Sequence, residues 1–327
     1  MTVQTYKWSD TSAPSLDGQA GSLITVLDAV LVGTGGIAYG STASAGWTKS
    51  YSGTNLAAYR QGTGSNQFYL KVRDDGPGAA GAQECRIRGF ETMTQVTASN
   101  DGTDGTNLFP TVAQLANGVF VRKSAAASSV VRPWIIVADQ RTFYMFVLTG
   151  DTAGNYVGWM FGEFYSLKTS DSGRCMIVAR STENSSSLTS TIETMDMLTL
   201  VNVAVTNHYI ARDATGAVGS IACGKVGDAS FTNLSGSNAM VGLTAMLNPA
   251  DHFIYLAPMR VTHATGGNTV RGRMRGFWHW GHLLGACSDG QTFSGQGTLA
   301  GKSFLVIKQS GNSGVYIMET SNTWDTN

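Results

Sequence analysis

Charge is what this 327-residue sequence has least of: Asp, Glu, Lys and Arg make up 13% of it, against roughly 25% in an average soluble domain. Twenty-two basic residues are cancelled by twenty-two acidic ones. No basic stripe is on hand to neutralise a phosphate backbone, so nucleic acid is not an expected partner. Proline is scarce, at six residues against forty glycines, a balance that suits many turns between short strands and excludes a mainly helical chain. Cysteine is rare too. Cys85, Cys175, Cys223 and Cys287 form no CxxC pair, which predicts buried free thiols of a protein folded in the cytoplasm and no disulfide framework. Long apolar runs are missing. Leu23–Val32 is interrupted by Asp28 and falls short of the about 20 residues that cross a bilayer, so no membrane span is expected. The opening MTVQTYKWSD lacks the charged start and apolar centre of a signal peptide, and export by that route is not expected.

Catalytic signatures are missing as well. There is no GxSxG elbow, no HExxH and no recognisable Cys/His arrangement, so no enzymatic activity and no cofactor is expected. Gly219–Lys225 has the spacing of a phosphate loop, but Val226 stands where a hydroxyl would hold magnesium, and the stretch reads as a turn. Gly33-Thr34-Gly35-Gly36 follows a helix-like run where a dinucleotide fingerprint would follow a strand, and reads as a linker. His279, His282 and Cys287, with His252 and His263 as further ligands, are the one cluster suited to zinc. Their spacing matches no zinc module, and no metal is expected. Asp101, Asp104 and Asn107 lack the regular acidic spacing of a calcium loop. Glu163 alternates onto the face of Trp159, Phe161 and Tyr165, where an unpaired charge would be costly. It is expected to pair with an arginine or to lie at a wet sheet edge.

What is present in abundance is β-pattern. Hydrophobic residues reach 42%, enough for a full core. The densest apolar segment, Arg132–Arg180, reads as four strands: Trp134–Ala138, Phe143–Leu148, Tyr156–Leu167 and Cys175–Ala179. Polar turns between them predict an antiparallel meander. In Phe143–Leu148 both alternating faces are apolar, so this strand is expected to be covered on both sides. Gly158 and Gly162 on one face of the third strand suggest a bend or room for large neighbours.

Ahead of the meander, Leu23, Val26, Leu27, Val30 and Leu31 share a helical face, predicting a short helix over 22–32 capped by Ser22 and stopped at Gly33. GTGGIAYGSTASAG reads as a flexible connection, and strands are predicted over Gln67–Arg73, Cys85–Met93 and Gly118–Lys123. ASNDGTDGTNLFP reads as too glycine-rich for regular structure, and Pro110–Leu115 as one helical turn. Beyond Arg180, strands are predicted over Leu198–Val205, His208–Arg212, Phe253–Thr262, Val270–Trp280, Ser303–Lys308 and Val315–Glu319. The expected class is therefore all-β, mainly antiparallel, of sandwich or meander type. Its expected division is a β-rich unit over 1–180, a Ser/Thr-rich linker over 181–200 and a second β-rich unit over 201–327.

Two echoes suggest that the units are related. Arg86-Ile87-Arg88-Gly89-Phe90 matches Arg273-Met274-Arg275-Gly276-Phe277, and Arg141-Thr142-Phe143 matches Lys302-Ser303-Phe304 in the same order, with unequal spacing.

Six segments together, SAPSLDGQAGSLITVLDAVLV, GWTKSYSGTNLAAYRQG, FYLKVRDDGPG, CRIRGFETM, RPWIIVADQRTFYMFVLTGD and GTLAGKSFLVIKQSGNSGVYIMETSNTW, resemble a family of virion structural proteins of tailed bacteriophages. The resemblance runs along nearly the whole chain and carries no catalytic residue. It implies a particle component assembled in the host cytoplasm, first a tail-tip or baseplate protein and second a capsid decoration protein. Its implied partners are other virion proteins and further copies of itself. A receptor- or carbohydrate-binding tail module that meets a host-surface glycan through exposed aromatics is the competing reading.

Overall fold

The computed structural model describes residues 2–75, 83–99, 102–150, 154, 156–179, 208–218, 223–226, 256–263, 269–280, 287–308 and 315–324. The chain opens with β1 (Gln4–Lys7), the helix α1 (Ser22–Leu27) and a π-helical turn (Asp28–Val32) that continues it. Next come β2 (Ile37–Tyr39), β3 (Thr42–Ala43), β4 (Thr48–Gly53), β5 (Leu56–Arg60), β6 (Tyr69–Arg73), β7 (Glu84–Met93), β8 (Gly105–Phe109) and β9 (Val119–Arg122). The apolar centre supplies β10 (Trp134–Ala138), β11 (Thr142–Leu148), β12 (Tyr156–Glu163), β13 (Tyr165–Ser166) and β14 (Cys175–Val178). The remainder is β15 (His208–Ile210), β16 (Cys223–Val226), β17 (Leu256–His263), β18 (Thr269–Trp280), β19 (Thr292–Ser294), β20 (Ser303–Lys308) and β21 (Val315–Glu319).

These strands form three large antiparallel sheets. A central sheet runs β1-β10-β11-β12-β14-β15, a front sheet runs β4-β5-β6-β7-β8 with β9 on β7, and a back sheet runs β16-β17-β18-β21-β20-β19 with β13 on β18. The meander is the middle layer. Phe143, Met145 and Val147 of β11 join one core with Tyr59, Leu70, Val72, Ile87 and Phe109 of the front sheet and with the helical residues Val26 and Val30. Tyr144 and Phe146 point the other way into a second core with Val261, Phe277, Leu305 and Ile317's neighbours Tyr316 and Met318 of the back sheet. The doubly apolar pattern of this strand thus has a direct cause: it has a sheet on each side.

The short helix is where its periodicity puts it and ends at Gly33, whose φ of 69° stops it. Its start differs. Ser22 is the first helical residue, and Gly21 is the cap position. The carboxylate of Asp74 replaces a side-chain cap, accepting from the amides of Leu23 (2.8 Å) and Ile24 (3.4 Å). A group 51 residues away in sequence was not visible in local pattern.

Other departures share one cause: glycine and small polar residues marked turns correctly but hid short pairings beside them. The stretch read as a flexible connection holds the β2–β3 hairpin, in which Ile37 faces Ala43. The loop read as irregular contains β8, which pairs with β7. GWTKSYSGTNLAAYRQG folds into the β4–β5 hairpin. Gly219–Lys225 is not simply a turn, because Cys223–Val226 is a strand paired with β17. The third meander strand does not run unbroken to Leu167: Gly162, with φ 149°, sits where a β-carbon would lie 2.4 Å from the Thr142 α-carbon, and after Glu163, still paired with Cys175, the chain leaves the central sheet. Tyr165–Ser166 then pairs with Arg273 and Gly272 in the back sheet. Pro110–Leu115 does contain the expected single turn, Leu115 N–H donating to Thr111 O.

The stretch 181–200 and the predicted strand Leu198–Val205 lie outside the described residues. The strand beyond them, β15, pairs with β14 ahead of them. The first sequence echo corresponds to shared geometry. β7 and β18 each keep one neighbour along one edge, β6 and β17, and change neighbour on the other edge at the glycine. β7 passes from β9 to β8, and β18 from β13 to β21. In the second echo each strand opens an antiparallel hairpin, β11 with β12 in the central sheet and β20 with β21 in the back sheet.

Candidate functional site

A carboxylate that does acid–base or metal chemistry must be available to a ligand. Seven carboxylates are buried among the described residues, Asp74, Glu84, Asp104, Asp139, Glu163, Asp171 and Glu319. Each is engaged by a cation: Lys123, Arg86, Lys71, Arg275, Arg174 with Arg141, Arg271 and Lys302 respectively.

The best formed of these joins the central and back sheets. Asp139 directly follows β10, and its Oδ1 accepts from the amides of Arg141 (2.8 Å) and Thr142 (2.9 Å), closing the turn into β11. Arg275 of β18 adds a bidentate grip, NH1 to Oδ1 at 2.9 Å and NH2 to Oδ2 at 2.6 Å. Its guanidinium also lies over the rings of Trp324 (5.3 Å) and Tyr165 (5.5 Å). Burial pulls this guanidinium down, but the charge and hydrogen bonds of Asp139 outweigh it and the net shift is upward. Tyr144 of β11 donates to the Arg275 carbonyl at 2.7 Å, tying the same two layers through the backbone.

Glu163 sits where its alternation put it and is paired as expected. Its Oε2 receives Arg174 Nε at 3.1 Å with Arg141 at 3.8 Å, and its Oε1 receives the amide of Asn66 at 2.5 Å. Asp104 and Asn107 do not converge on a cation site: Asp104 pairs with Lys71 and accepts from Thr97, while Asn107 donates to Glu91. Asp101 lies outside the described residues, as do His252 and His282. Only the backbones of His263 and His279 are placed, in β17 and β18, and Cys287 is buried in an apolar cluster with Trp278 and Phe304. No group of three metal-ligating side chains occurs among the described residues. Gly33–Gly36 turns into the β2–β3 hairpin, with Thr34 bridging Ile37, so no helix follows it.

Sequence reasoning missed a polar cluster of five residues beneath the start of α1. Lys123 Nζ contacts Asp74 Oδ1, Gln19 O and Ser22 Oγ, and the Cys85 thiol donates to the same Asp74 Oδ1 at 3.0 Å. These residues sit at one end of the front sheet, just after β6, within β7 and just after β9. The pairing could not be read from spacing, because 49 residues separate Asp74 from Lys123.

Among the described residues the exposed large apolar side chains are Trp8, Ile37, Val112, the adjacent Val130 and Val131, Leu167, Val218 and Val270. Of the tryptophans whose side chains are described, Trp8 alone is exposed. A polar hollow of about 530 Å3 opens between Ser15, Asp17, Gln19, Thr25 and Asn55. It offers hydroxyls, amides and one carboxylate. No helix among the described residues is long and apolar enough to cross a membrane. Neither a protein-family model nor a curated protein matches the chain.

Proposed function

We propose that this chain is a non-enzymatic building block of a tailed-bacteriophage particle, at the tail tip or baseplate, acting through symmetric contacts with its own copies and with other virion proteins. The observation that carries the reading is the commitment of buried charge. All seven buried carboxylates among the described residues face a lysine or arginine of the same chain. Pairing of this kind favours a structural over a catalytic role for these acids, and Asp139 with Arg275 joins two sheets. The zero formal net charge and small share of charged residues suit an assembly packed through polar and apolar contacts. The resemblance of the six sequence segments to phage structural proteins supplies the particle.

A capsid decoration protein would meet the same physical description and stands second. A glycan-binding tail module stands third, because a sugar groove needs several aromatic platforms and Trp8 is the one exposed described tryptophan. Protein identification in density-purified virions tests the reading. The chain is expected at a fixed copy number per particle. Its restriction to the unassembled fraction of the lysate would overturn the proposal, and stoichiometric binding on a glycan array would favour the third reading over the first.

A further inference from the structure

We propose that Lys123 and Asp74 condense to an intramolecular amide, an isopeptide cross-link formed by the folded chain itself. The three parts that such a step requires surround one carboxyl group. The nucleophile is Lys123 Nζ, in direct contact with Asp74 Oδ1, and the side chains are 1% and 0% exposed, so water does not compete. The other carboxyl oxygen, Oδ2, accepts from the Leu23 and Ile24 amides at 2.8 Å and 3.4 Å. That is where negative charge develops when an amine adds to the carboxyl carbon. The departing oxygen, Oδ1, receives the Cys85 thiol at 3.0 Å, which places a proton relay on the leaving group. Fixing reactants in this geometry replaces a bimolecular encounter with an intramolecular one.

The step balances without an outside reagent. The ion pair starts with three hydrogens on nitrogen and none on the carboxylate. One passes from Nζ to Oδ1, giving amine and acid, and the nitrogen lone pair then forms the N–Cγ bond. The Cγ–Oδ1 bond breaks with its electron pair on oxygen, and a second nitrogen hydrogen reaches that oxygen through the thiol. Water leaves, the amide keeps one hydrogen, and Cys85 ends as it began. Burial, the dominant influence, raises the Asp74 carboxyl above its ordinary value against the pull of Lys123, which favours the neutral acid the reaction needs. Gln19 O and Ser22 Oγ hold Nζ against the carboxyl.

The Lys71–Asp104 pair is an internal control. It is equally buried, but the second oxygen of Asp104 meets the Thr97 hydroxyl, where Asp74 has two backbone amides. It is expected to stay ionic. An amide at Lys123 would join the ends of β6 and β9 covalently beneath α1, cross-linking residues 49 positions apart.

Intact-mass measurement of the full-length wild-type protein under denaturing conditions tests this. The expected mass is one water below that of the sequence. A tryptic digest should yield a branched peptide joining the Asp74 and Lys123 segments, and Lys123→Arg should restore the full mass. Cys85→Ala, which keeps both reacting groups should Lys123→Arg fail to fold, is expected to slow conversion after synthesis by about tenfold or more. Folded wild-type protein that retains the full sequence mass after prolonged incubation would overturn the proposal, and so would a missing water that maps to Lys71 and Asp104.

Discussion

Arg275 holds Asp139 by two hydrogen bonds, 2.9 Å and 2.6 Å, across the boundary between the central and back sheets. Both side chains are buried, so the pair is stable only as a pair. Asp139→Ala leaves a guanidinium without its counter-charge in a site closed to water and is expected to cost about 3–5 kcal/mol. Urea unfolding measures this, and a loss under about 1 kcal/mol would remove the pair from the account.

The middle-layer position of β11 predicts equal sensitivity on its two faces. Phe143→Ala and Phe146→Ala, one residue from each core, should each cost about 3–5 kcal/mol. If either were close to neutral in thermal unfolding, one side of the meander would have to be open to solvent.

This part of the fold was legible in the sequence because the strand carries its environment in its own alternation: Phe143, Met145 and Val147 against Tyr144, Phe146 and Leu148. Ser303–Lys308 and Val315–Glu319 were legible to the residue for the same reason. The hairpin β2–β3 and strand β8 were not, since strands of two to five residues beside glycine depend on partners elsewhere for their pairing. The ion pairs were legible only at Glu163, whose place on an aromatic face demanded a partner. Asp74 with Lys123 and Asp139 with Arg275 join residues 49 and 136 positions apart, and no local pattern reports such distances.

Gly276 has φ 62°, and a β-carbon there would lie 2.0 Å from the Trp324 ring nitrogen. Gly276→Ala is therefore expected to displace Trp324, which donates to Glu319 O at 2.8 Å. The loss should appear as weakened tryptophan near-ultraviolet dichroism together with a lowered Tm. An unchanged spectrum and Tm would place the ring elsewhere.

Burial pushes the Glu84 carboxyl up to about 7, with Arg86 and Arg122 pulling it back down. The folded state then binds this proton more tightly than the unfolded state, whose carboxyl titrates near about 4.3. The contribution of Glu84 is complete at acid pH and is lost as pH rises through about 7. Glu84→Gln should flatten the fall in stability between those limits. Parallel stability–pH curves for wild type and variant over that window would contradict the assignment.

The Ser/Thr-rich stretch 181–200 is the site where limited proteolysis should cut first. Because β14 pairs with β15, β13 pairs with β18 and Asp139 binds Arg275, the two fragments should stay together in size-exclusion chromatography under native conditions. Separation into two freely moving fragments would mean that these links are too weak to join the halves.

The most direct test of the functional proposal is immunogold labelling of intact, purified particles with antibody raised against this chain. The account predicts gold at the end of the tail, in a number consistent with a symmetric ring. Gold spread over the head would move the protein to the capsid surface, and particles that carry no label while the free protein in the lysate does would contradict a structural role in the virion.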